Sequence, residues 1–207
     1  MAFAVVKSGS ITSMPNGNKG IEIDGVKHPA TIFTLWTEDE RNAIGVYTIE
    51  IDETNFKNPE YYNNTNITYA YDSSADKVTA SYGTATAQSL DDILYTNTDK
   101  SNGDIPDGKD VGDVRQEGLK TKHKNHIDAQ CSGILSHSDW RVIKEQETGN
   151  AMDSGWKTWR GNVRAKCNEM QTKIDNAADV DALAALYVFT TVDGVTSRPL
   201  GTFPDKE

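Results

Sequence analysis

Between Trp156 and Ile174 the residues Trp156, Trp159, Val163, Cys167, Met170 and Ile174 recur at intervals of three, four, four, three and four. On a helix of 3.6 residues per turn that spacing draws one stripe, the a/d seam of a helix laid against a partner. A chain with such a stripe must supply a second apolar surface to cover it. Arg160, Arg164, Lys166 and Glu169 flank the seam and belong at its margins.

The segments around the seam read as its partners. Ser136-His-Ser-Asp139 is a capping-box pattern, with Asp139 also placed at the positive end of the helix dipole. Trp140, Ile143 and Lys144/Glu147 then share one helical face, and Gly149, free to take positive φ, closes that helix. Val114 to Ile134 is a poorer helix, with sparse apolar positions (Val114, Leu119, Ile127, Ile134) and Gly118 weakening its first part. It is expected to pack along another surface, within its own module or on another subunit. Asp179 caps a short final helix running to Tyr187, and Asp193-Gly194 suggests a tight hairpin in the tail.

Residues 1–95 read mostly as strand. Ile21–Val26 and Val46–Ile51 alternate, and Ile67–Tyr71 and Val78–Tyr82 form a hairpin across the turn formers Asp72–Asp76. One short helix interrupts them, opened by the capping box Thr37-Glu-Asp-Glu40 and ended at Gly45. Thr96 to Asp113 combines turn formers with almost nothing to bury and reads as a linker. Its aspartates suit calcium, but no register gives the EF-hand spacing, so a looser calcium loop stands behind the linker reading. The expected fold class is α+β: a small antiparallel β module (1–95), an Asp/Gly-rich linker (96–112), a helical hairpin or bundle module (113–187) and a tail (188–207).

Chemistry is sparsely represented. The 207 residues carry a net charge of -10, which disfavours nucleic acid as a partner, since phosphate binding needs a basic face. The basic run Arg115–Lys124 reads as a solvated helix face. Mean hydropathy is -0.61, and no run approaches the roughly 18 apolar residues of a membrane span. The apolar part of the first residues is too short for a secretory signal, so export is not expected. Cys131 and Cys167 read as small buried apolar residues. His123 and His126 near Cys131 offer zinc donors at a spacing that fits no strong motif, and read better as exposed helix histidines. Asp91-Asp92 and Glu145/Glu147 are explained by caps and charged helix faces. Nucleophile elbow, Walker loop and dinucleotide fingerprint are all missing from the sequence. The reading is of a non-enzyme with no cofactor and no metal.

Tyr47, Tyr61, Tyr62, Tyr69, Tyr71 and Tyr82 concentrate on the expected strands, where cross-strand packing accounts for most of them. Neighbours on a strand point to opposite faces, so one of Tyr61 and Tyr62 is expected to be exposed and able to meet a partner or a sugar ring.

Asp139-Trp140, Glu147, Gly149, Trp159-Arg160 and Arg164 together resemble the carboxy-terminal helical module of bacteriophage tail fibre assembly proteins. That module opens a helix on Asp-Trp, turns at a Gly, and continues with an aromatic-Arg pair and a second Arg four residues on. This chain departs from it in having Asp153-Ser-Gly155 where a proline is common, and Trp159 where Tyr is usual. Trp36 to Tyr47, a capped helix leading through Gly45 into a strand, is similar to a recurring phage element and stands in the same order. The resemblance implies a structural component of the virion at the tail or tail fibres, made in the host cytoplasm. Its partners would be other phage structural proteins, in a homo-oligomer or symmetric assembly. A tail fibre chaperone absent from the mature particle and a glycan-binding virion module are the alternatives. Asp139, Trp140, Glu147, Trp156, Trp159, Arg160 and Arg164 are the candidate interface or hairpin-packing residues. Trp140 and Trp159 are expected to glue the helices, and Arg160 and Arg164 to pair with Asp139 or Glu147. Should the tryptophans pack internally, docking would shift to Val114–Ile134.

Overall fold

A computed structural model describes residues 2–206 and divides the chain into two compact units, residues 1–86 and 87–207. The fold class is α+β, as the hydrophobic patterns imply.

In the first unit, strands β1 (Phe3–Lys7) and β2 (Ser10–Ser13) form a hairpin around Ser8-Gly9, both at positive φ. A second hairpin joins β3 (Ile21–Ile23) to β4 (Val26–His28) through Asp24 (φ 50) and Gly25 (φ 78). Ile21–Val26, expected as one alternating strand, is thus broken at an Asp-Gly pair that favours a tight turn. Two short helices follow, α1 (Ile32–Leu35) and α2 (Glu38–Asn42). The second carries the full Thr37/Glu40 capping box, whose bonds hold the Glu40 carboxyl below its usual range. Gly45 (φ 79) then passes so close to Val6 that a Cβ would lie 2.7 Å from the Val6 carbonyl.

The principal sheet has the order β2-β1-β5-β8-β7, with β5 at Val46–Asp52, β7 at Thr68–Asp72 and β8 at Lys77–Ser81. The expected β7–β8 hairpin is present, with Tyr71 opposite Val78. The sheet is antiparallel except at β5–β8, which run parallel with Ile49 opposite Val78. One face packs Phe3, Val5 and Val46 against Ile23, Ile32 and Phe33; the other packs Ala4, Tyr47 and Val78. Tyr47 and Tyr71 both donate to the Asp76 carboxylate, at 2.8 and 2.7 Å, pinning a turn in which Asp76 sits at φ 50. The short β6 (Tyr62–Asn63) precedes β7, and β9 (Thr86–Ala87) lies at the junction of the units.

The second unit begins earlier than expected, and its first part corrects the linker reading. Strands β10 (Ile93–Leu94) and β11 (Val114–Gln116) pair antiparallel, and Tyr95 extends the ladder by bonding both Asp113 and Gly112. Between them, α3 (Asn97–Asn102) has a complete capping box from Thr96 and Asp99, and Gly103 ends it at φ 75. Asp99 also meets Arg115 at 2.8 Å. Turn-forming composition concealed a helix whose caps are those same polar residues.

Helix α4 (Leu119–Ser136) therefore starts later than Val114. Gly118 is its N-cap, not a defect inside it. The loop at Leu90-Asp91 presses so close that a Cβ there would lie 2.3 Å from the Asp91 carbonyl carbon. That loop also satisfies the helix's first donors. Gly118 N–H bonds the Asp92 carboxylate, Leu119 N–H the Ser89 carbonyl and Lys120 N–H the Leu90 carbonyl. Helices α5 (Asp139–Thr148) and α6 (Ser154–Asp175) follow, then α7 (Val180–Ala185), capped by Asp179 as expected. Gly149 closes α5 at φ 69, also as expected. The tail hairpin forms as β12 (Thr190–Val192) and β13 (Val195–Ser197) around Asp193-Gly194.

The seam lies on α6 and is covered by α4. Leu119, His123, Ile127 and Cys131 face Val163, Cys167, Met170 and Ile174, all buried. The helices run antiparallel, fixed by Lys124 to Asp175 at 2.8 Å, Gln171 to Asp128 at 2.6 Å, and Arg160 near the end of α4. Sequence patterning under-read α4 because two of its four seam positions are His123 and Cys131. His123 is accommodated by Tyr187, whose hydroxyl lies 2.8 Å from its Nδ1.

Candidate docking surface

Arg160 organises the α4–α5–α6 junction. Its side chain is 5 % exposed and donates to the Leu135 carbonyl at 2.8 Å, to the Ser138 hydroxyl and to Asp139 Oδ1 at 2.6 Å. Leu135 lies in the last turn of α4, where carbonyls lack helical partners and the dipole is negative, so the guanidinium caps that helix. Asp139 opens α5 and supplies the counter-charge. Of the four ion pairs allowed by the sequence, this one forms. Among the described residues Arg164 and Glu147 make none, and Glu145 takes the nearby lysine, Lys157, at 3.6 Å.

The Ser136–Asp139 capping box does not form, because α4 continues through Ser136, whose hydroxyl bonds Gly133 O. Ser138 occupies the N-cap of α5 and is fully buried, its hydroxyl turned back to Leu135 O. Asp139 is left to face Arg160.

The tryptophans behave differently from one another. Trp140 does not glue the helices: it is 53 % exposed, as is its neighbour one turn on, Ile143, at 55 %. Burial at this hairpin falls to Arg160 instead, so the face bearing Trp140 is left outward. Trp156 and Trp159 meet edge to face at 5.5 Å, half-buried, and the Trp159 indole donates to Pro204 O at 3.0 Å. Arg141 lies between two rings, 4.5 Å from the centre of Trp140 and 4.3 Å from that of Trp156. It is a residue that sequence reasoning passed over. Each contact of this kind contributes about 0.5–1 kcal/mol at an exposed site, which biases Trp140 toward this orientation.

The result is a continuous aromatic surface: Trp140 and Ile143 on α5, Arg141 as a bridge, then Trp156 and Trp159. Beyond them Ile134, Trp159 and Phe203 line a shallow, mainly apolar groove of about 480 Å³. A second cleft of about 430 Å³ exposes Arg164 beside Cys131, Cys167 and Asp128. Cys167 donates to Asp128 at 3.5 Å, and burial, with Cys131 and Asp128 adjacent, pushes its thiol up to about 12. His126 pairs with Gln130 and His123 with Tyr187, so the two histidines are turned to separate partners, and the described residues hold no group of three or more metal-ligating side chains.

Tyr61 and Tyr62 correct the exposed-aromatic expectation: both are buried, at 4 and 9 % exposure. Tyr61 lies in a turn, where strand alternation does not apply, and its N–H and that of Tyr62 both bond Asn58 O. Lys57 covers the Tyr62 ring at 4.2 Å.

Comparison with known proteins finds no matching family model, no matching curated protein and no matching solved structure. No helix among the described residues is long and apolar enough to cross a membrane.

Proposed function

We propose that this chain is a non-enzymatic structural component of a bacteriophage particle, at the tail or its fibres, acting by protein–protein docking through the α5 face. The observation that carries the reading is the exposure of Trp140 and Ile143 on a ten-residue helix with no buried residue. Large apolar side chains held outward add little to the fold, and tryptophan is the residue that most concentrates binding energy at interfaces. Arg141 biases the ring toward its outward orientation before a partner arrives, which lowers the entropy lost on binding.

The phage setting rests on the resemblance of the helical module. Three of its motif positions shape one junction here, with Gly149 ending α5 and Arg160 tied to Asp139. The same architecture would suit an assembly chaperone that leaves the particle. The glycan-binding reading loses its two residues, since Tyr61 and Tyr62 are buried.

The test is incorporation of the double variant Trp140→Ala/Ile143→Ala into particles assembled in infected cells. Because neither side chain supports the fold, circular dichroism should be unchanged while incorporation falls by about tenfold or more. Undiminished incorporation would remove the α5 face from the account.

A further inference from the structure

The β12–β13 hairpin is the most exposed apolar element of the second unit. Val188, Phe189, Val192 and Val195 are 56, 58, 66 and 68 % exposed, and β12 and β13 form a sheet of two strands with no third neighbour among the described residues. Two-stranded sheets are marginal alone in water, and exposed strand edges are ordinarily protected by lysines, prolines or bulges. Thr190–Ser197 has no lysine, proline or bulge, so its edge is blunted only by the shortness of its three-residue strands, and its one charge is Asp193, at the turn. The root, by contrast, is well fixed. Leu200 is fully buried and bonds Leu186 O, and the Arg198 guanidinium lies 5.2 Å from the Phe189 ring and 5.5 Å from the Tyr187 ring. The fold presents this edge firmly to solvent.

We propose that β13 pairs antiparallel with β13 of a second copy across a two-fold axis, joining two hairpins into a four-stranded sheet. The register follows from the turn. Val192 and Val195 flank a two-residue turn and so form a hydrogen-bonded pair. The next pair, Thr191 and Thr196, is then non-bonded across the hairpin, and its backbone N–H and C=O groups point outward. Centring the dimer on Thr196 lets the two copies of that residue exchange both bonds. It also sets Arg198 of each copy opposite Gly194 of the other, beside Asp193.

Charge favours this occupant and this edge. The chain carries -10 overall, so two copies repel over most of their surface, while Tyr187–Arg198 is neutral, with its acid at the tip and its base at the root. Antiparallel pairing is the arrangement that brings tip to root. Pairing through β12, centred on Thr191, would set Phe189 against Asp193 and match no charges. The proposal does not depend on the chain's being a virion component.

Analytical ultracentrifugation of the full chain tests it. The chain should be dimeric at about 100 µM, a concentration at which mass action populates a modest interface. Thr196→Pro removes the outward N–H but no bond of the hairpin's own ladder, and should give monomer. Thr196→Val, which also loses the 2.8 Å contact to the Thr191 hydroxyl, and Thr191→Pro, on the other edge, should both remain dimeric. Asp193→Lys should weaken the dimer about tenfold, with the difference shrinking in high salt. A monomeric parent chain, an oligomer indifferent to Thr196→Pro, or a dimer lost with Thr191→Pro would each overturn the proposal.

Discussion

Arg160 and Asp139 meet at 2.6 Å although they lie 21 residues apart, one buried in the middle of a helical junction and the other half in solvent. The asymmetry decides what each contributes. Removing the guanidinium takes one charged donor from the Leu135 carbonyl and one from the buried Ser138 hydroxyl, leaving them only their bonds to each other, whereas removing the carboxylate leaves a cation that still holds two uncharged acceptors.

Arg160→Ala is therefore expected to destabilise the helical unit by about 1–3 kcal/mol, the range for buried polar groups that lose a charged hydrogen-bond donor. Asp139→Asn should cost about 1 kcal/mol or less, because the carboxylate is 54 % exposed and screened. Urea unfolding followed by circular dichroism measures both; equal costs would contradict the assigned hierarchy.

Acid stability follows from the carboxylates. Asp76 is held below its ordinary value of 3.8 by the hydroxyls of Tyr71 and then Tyr47. Asp99 is lowered by the Thr96 hydroxyl and backbone, with Arg115 adding to them. A carboxyl with a depressed folded pKa binds protons more readily when unfolded, so its stabilisation is complete above the unfolded value and drains away as pH falls through the folded one. Stability should stay level from neutrality to about pH 5 and decline below the ordinary carboxyl range. Asp76→Asn should flatten part of that decline. An acid limb unchanged by Asp76→Asn would show that the tyrosine contacts are not maintained in solution.

The two cysteines report on the α4–α6 seam. With its thiol pushed up to about 12 by burial and the adjacent Cys131, Cys167 is almost wholly protonated at neutral pH. Its reaction with a thiol-specific disulfide reagent at about pH 8 should be at least about tenfold slower in the native chain than in denaturant. Rapid native labelling would mean that the seam opens.

Much of this architecture was legible because it rests on local chemistry. The Thr37 and Asp179 caps, Gly149, the Asp193-Gly194 turn and the α6 stripe each act over a few residues and appear where the pattern places them. The misses have a common physical origin in tertiary partners. His123 and Cys131 filled seam positions because Tyr187 and Cys167 lay opposite them. Gly118 looked like a weak helix residue until the Asp91 loop was seen against it. The polar stretch after Thr96 became a helix by capping itself and engaging Arg115. At the candidate surface, residue types were readable but directions were not. Trp140 stands out in the sequence as an anchor, yet it faces outward from α5 because Arg160 fills the junction. Arg141 carries no signal in the sequence, because only the fold places two rings around it.

The most direct test of the central claim is quantitative mass spectrometry of gradient-purified particles from the phage that encodes this chain. A structural component should be present at fixed stoichiometry, at roughly a multiple of three, five or six copies as particle symmetry requires. Absence from particles, with abundance in the infected-cell lysate, would contradict the account and assign the α5 face to a transient assembly factor.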